Sequence, residues 1–161
     1  MKLDHKKLVT TVLMTFDVLV LGMNGFAQDK APDNMQAARE KLQADKKLFV
    51  TEHMKLTDSE SKAFWPVYES YQKDMGAVND RLANLVRDYA SHYANMTNDE
   101  AKKLVDDSLA IDADRLKIRQ SYLPKFRQVL SEIKVARYYQ IENKIQAAVN
   151  YDLATGTRLT E

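Results

Sequence analysis

The stretch KLTDSESKAFWPVYESYQ, residues 55–72, opens as a helix and then carries a proline well inside it. Thr57 followed by Glu60 is a capping box. The threonine hydroxyl accepts from the Glu60 amide while the glutamate reaches back to the amide of Thr57. Pro66 comes nine residues after Thr57, beside Trp65, the only tryptophan of the chain. From there apolar residues fall at Phe64, Tyr68, Tyr71, Met75, Val78, Leu82, Leu85 and Tyr89, at alternating spacings of 4 and 3. That is an uninterrupted heptad seam, widened by Trp65, Val67 and Val86. A cofactor box needs convergent polar groups, which this face lacks. The aromatic cluster therefore reads as a packing seam.

The same logic extends along the chain. Only 4 glycines and 3 prolines occur in 161 residues, too few for the regular turns of a β-rich domain. Helix-forming residues dominate instead, so the fold class is all-α. Four helices are expected: one from about Asp33 to Met54, one after Thr57, one after Thr97 and one after Ser131. Thr97 with Glu100 repeats the capping box; Ser131 has Lys134 in the acid's place. Pro124 lies inside the third helix as Pro66 does inside the second, and an interior proline kinks a helix. The expected architecture is an elongated or curved antiparallel bundle with two long kinked helices, or a plain bundle whose kinks wrap neighbours.

Residues 1–27 read as a secretory signal peptide: a basic leader, MKLDHKK, an apolar run interrupted by Asp17, and small Gly25 and Ala27 before the cleavage point. A carboxylate in mid-membrane costs about 3 kcal/mol, so a retained anchor is disfavoured. Residues 28–154 read as one helical domain and 155–161 as a flexible tail. The part after the leader carries 21 basic and 21 acidic residues. That balance gives no reason to expect nucleic acid or membrane insertion. The chain has no cysteine, so packing alone must hold it. Given the leader, the chain is expected to be exported.

Charge is uneven within that balance. Six acids lie between Thr97 and Asp114, and eight bases between Arg115 and Lys144. Acid early and base late suits the dipole of the third helix, but the basic run continues into the fourth. Interleaved with aromatics, it forms a candidate face for an acidic, partly apolar client or partner. The candidates are Arg115, Arg119, Phe126, Arg127, Lys134 and Arg137; a solvated surface is the alternative.

Catalytic chemistry is sparse. There is no nucleophile elbow, phosphate loop or zinc-protease motif, and His53 and His92 are the only histidines after the leader. His53 reads as a packed imidazole, and His92 with Met96 offers too few ligands for a metal. No enzyme activity, cofactor or metal is expected.

The layout resembles the periplasmic Spy/CpxP-like family with LTxxQ motifs. LTDSE at 56–60 is similar to one copy, with Glu60 in the glutamine place. LSEIK at 130–134 is similar to the second, with Ser131 for threonine and Lys134 for glutamine. The texture FWPVYESYQ…YLPKFRQVL…ARYYQIENKI is also similar to uncharacterised exported helical proteins of Gram-negative bacteria. The resemblance implies a curved antiparallel helical homodimer that binds unfolding clients without ATP or damps an envelope-stress sensor. The alternatives are a structural or signalling coiled coil that assembles with itself or a membrane sensor, and a periplasmic ligand or metal sensor.

Overall fold

The computed structural model describes residues 31–157 and 159, with side chains from Glu40 onward. The signal-peptide reading of residues 1–27 lies outside the described residues. The chain forms helices α1 (Ala31–Met54), α2 (Asp58–His92), α3 (Asn98–Val129) and α4 (Glu132–Gly156), with a 3-10 turn at Tyr93–Asn95. No strand occurs among the described residues, so the fold is all-α.

The helix starts form for the reasons their residues supply. Thr57 is extended, its hydroxyl accepts from the Glu60 amide at 3.3 Å, and the Glu60 carboxylate accepts from the Thr57 amide at 2.8 Å. Thr97 and Glu100 repeat this arrangement at the start of α3 with the same two distances. At α4 the amide of Val135 donates to the carbonyl of Ser131 at 2.9 Å, which sets the helix start just after Ser131. Both α2 and α3 run through their prolines, Pro66 and Pro124. Beyond the end of α1, Lys55 adopts φ 48°, the left-handed conformation that turns a chain out of a helix.

The described chain divides into two compact units. One holds the chain up to Lys55 with Ala136–Gly156. The other holds Leu56–Val135 with the residues from Thr157 on. In the first, Val50, Met54, Tyr138 and Ile141 are buried, and Lys46 Nζ donates to Glu142 Oε2 at 2.9 Å, tying α1 to α4. His53 is the packed imidazole expected: its ring lies 4.0 Å from that of Phe49, and its Nδ1 is 2.8 Å from the Phe49 carbonyl.

The second unit is an antiparallel hairpin of α2 and α3. Phe64 meets Phe126 at 5.8 Å between ring centroids, and Tyr71 meets Phe126 and Tyr122 at 5.7 and 5.4 Å. Tyr122 donates its hydroxyl to Asp74 Oδ2 at 2.6 Å. Burial, and then the adjacent Asp74 carboxylate, push its pKa up to about 12. Farther along, Arg81 Nη1 bonds Asp114 Oδ2 at 2.5 Å. Phe126 is fully buried at the centre of the ring cluster. We expect Phe126→Ala to cost about 3–5 kcal/mol of stability, read from urea denaturation; a loss below about 1 kcal/mol would show that the rings do not hold the hairpin.

Candidate functional site

Within the second unit, three of the basic candidates meet acids of the same chain. Phe126 is a correction to the expected surface: it is 0% exposed and belongs to the core, because it fills the gap between Phe64 and Tyr71. Arg127 pairs with Glu132 at 3.0 Å. Lys134 bonds the Glu60 carboxylate. Arg115 is half-buried and reaches Asp112 at 3.1 Å through Nη1, while its Nε and Nη2 are buried without a partner. Arg119 is half-buried, and Arg137 is exposed in the other unit. Much of the basic charge is thus answered by acids of the same chain.

The Glu60–Lys134 bond joins the two residues that stand in the glutamine places of the LTDSE and LSEIK stretches. One oxygen, Glu60 Oε2, accepts from the Lys134 ammonium and from the Thr57 amide. The start of α2 is thereby fastened to the first turn of α4. The Lys134 hydrogen bond, and then the Thr57 amide, lower the Glu60 pKa from 4.5 to about 2. A carboxylate held below its unfolded value stabilises the fold above that value. The contribution fades as pH falls from about 4.5 towards 2. Glu60→Gln keeps the capping geometry but has no charge to lose.

The aromatic stretch that opens α2 is a seam with one ring at its edge. Trp65 is half-buried, stacks edge-on to Phe64 and Tyr68 at 5.1 Å each, and donates its indole N–H to Ser61 Oγ at 2.9 Å. An open depression beside it is lined by Asp58, Ser61, Lys62, Trp65, Pro66 and Glu69, all on α2.

The seam is sealed at one end of the hairpin and open at the other. Phe64, Tyr68, Tyr71, Met75 and Val78 are buried, but Leu82, Leu85 and Tyr89 are only half-buried. On α3, Ile111, Tyr122 and Phe126 are buried, whereas Leu104 is half-buried. No residue from 79 to 110 is fully buried. Two packed helices cover only a stripe of each other, so the flanks stay accessible unless more chain lies over them. Beside this open stretch, α3 presents a second apolar row: Val105, Leu109 and Leu116 are 56%, 63% and 55% exposed. Sequence reasoning missed that row. Its signal was present, since 105, 109, 112 and 116 keep the 4-3-4 spacing, one residue out of step with Leu104, Ser108, Ile111 and Arg115, and Asp112 interrupts it.

At the tip, His92 Nδ1 lies 2.9 Å from both the Asp88 carbonyl and Ser91 Oγ, which engages it locally. Among the described residues no group of three or more His, Cys, Asp or Glu is placed to hold a metal ion. No described helix is long and apolar enough to cross a membrane. Comparison with family models, curated proteins and solved structures gives no match.

Two outcomes test this geometry. Between pH 5 and pH 2.5 the wild-type protein should lose more of its Tm than Glu60→Gln does; equal losses would mean that the ion pair contributes nothing. Arg115→Met should raise the urea midpoint, because buried guanidinium donors without partners are costly; a lowered midpoint would show that the cation helps to hold the hairpin.

Proposed function

We propose that this protein is a non-catalytic, ATP-independent binding protein of the bacterial periplasm, a chaperone or envelope-stress adaptor that holds unfolded segments or a partner protein on its helical surface. One observation carries the reading: the open half of the α2–α3 hairpin combines a half-buried heptad seam with exposed Val105 and Leu109. Large apolar side chains grouped at a surface mark interaction sites. The periplasmic part of the proposal rests on the signal-peptide reading of residues 1–27 and on the resemblance to LTxxQ proteins. Contact through a few such residues, at about 25 cal/mol per Å² of apolar surface, gives weak and reversible binding. That suits a holder of unfolding chains better than a permanent subunit.

Self-assembly is the second reading, favoured by the heptad spacing of the half-buried Leu82, Leu85 and Tyr89. It predicts a dimer in sedimentation that Leu85→Asp splits.

An aggregation-suppression assay with a thermally or chemically unfolding client tests the main reading. The protein without ATP should delay light scattering at about stoichiometric amounts, and Val105→Ser/Leu109→Ser should lose most of that effect. No protection at excess in low salt would overturn it.

A further inference from the structure

The binding surface has a sign, and it is opposite to the one expected from the basic run. Between Asn79 and Asp112 the chain carries seven carboxylates against four Lys and Arg; from Ala113 to Val135 it carries two against six. The open stretch of the seam and the exposed pair Val105 and Leu109 lie in the acidic part. Asp106 and Asp112 flank Leu109, three residues before and after it, and so stand on adjacent turns of the same helix. Asp106 is held by Lys102, and Asp107 by Lys103 at 2.6 Å, in exposed pairs four residues apart, while the exposed Asp112 accepts from the half-buried Arg115 at 3.1 Å. Exposed pairs of this kind are worth little, so an incoming cation can take the place of the lysine.

We infer that this end of the hairpin docks a cationic amphipathic helix of another protein, with Leu82, Leu85, Tyr89, Val105 and Leu109 receiving its apolar face and Asp106 and Asp112 meeting its Lys or Arg side chains. The inference rests on the binding function proposed above and names its partner class. The receiving row repeats at the 3–4 spacing that a docked helix presents. From Val105 to Leu116 that row is about 17 Å long at 1.5 Å per residue, about three helical turns. An anionic segment would be repelled by the excess of carboxylates over cations in this stretch. A second copy offering the same patch would set carboxylate against carboxylate, which disfavours a symmetric tip-to-tip dimer.

Fluorescence anisotropy with two labelled two-heptad peptides, one of Leu and Lys and the other of Leu and Glu, tests this on the purified protein. At low salt the Leu/Lys peptide should bind at least ~10-fold more tightly, and raised salt should narrow the gap by screening. Val105→Ser/Leu109→Ser, both at exposed positions so that the fold is kept (checked by circular dichroism), should weaken the Leu/Lys peptide at least ~5-fold. Asp106→Asn/Asp112→Asn should flatten its salt dependence. Equal binding of the two peptides, or Leu/Lys binding unchanged in Val105→Ser/Leu109→Ser, overturns the inference. So does an unchanged salt dependence in Asp106→Asn/Asp112→Asn, or a dimer in sedimentation that the serine pair splits while peptide binding stays the same. Client protection without preference for the cationic peptide removes this inference alone; absence of both protection and peptide binding removes the proposed function as well.

Discussion

The hairpin depends on one contact: the stack of Phe64, Tyr71, Tyr122 and Phe126 between α2 and α3. Without cysteines, helices of 35 and 32 residues must find their register through side chains alone. Aromatic rings do this well. They bury large areas and prefer tilted or edge-on contacts that a shifted register cannot satisfy. Two polar contacts lie on either side of the stack: Tyr122 on Asp74, and Lys134 on Glu60. They favour the same antiparallel register, and a slip of one turn would leave a buried tyrosine hydroxyl without its acceptor.

Sealing the aromatic half leaves the seam of the other half only partly covered. Leu82, Leu85 and Tyr89 continue the spacing of the buried seam without becoming fully covered, and this is where α3 turns Val105 and Leu109 outward. The division of labour follows from residue size as well as position. Rings fill most of the space between the two helices in the sealed half, while leucines, a valine and one tyrosine line the open half. Stability and the proposed binding therefore draw on different stretches of one continuous pattern.

What was legible in the sequence was local. Thr57 with Glu60, and Thr97 with Glu100, name their helix starts because a capping box is complete within four residues. The 4-3 spacing identified the seam because helical periodicity is a property of one strand of chain. Burial is not. Nothing between Phe64 and Tyr89 says which positions more chain will cover, so the change from sealed to open after Val78 was hidden. The Glu60–Lys134 bond spans 74 residues, and no spacing rule reaches that far. Lys134 looks free in the sequence yet meets Glu60 in the fold, and Arg127 meets Glu132 across the break between α3 and α4. Phe126 failed for a related reason. Interleaving with bases suggested an exposed ring, but the apolar side of α3 carries it inward to Phe64 and Tyr71.

The hairpin is closed by rings at one end, and at the other its seam is only half-buried, where we propose that partners bind. Backbone hydrogen exchange read along α2 and α3 tests it most directly. Amides around Phe64–Val78 and Ile111–Phe126 should exchange slowly, those around Leu82–Tyr89 and Leu104–Leu109 markedly faster, and a bound client should slow only the second group. Even protection along both helices, or slowing by a client that falls on the aromatic half, would contradict the account.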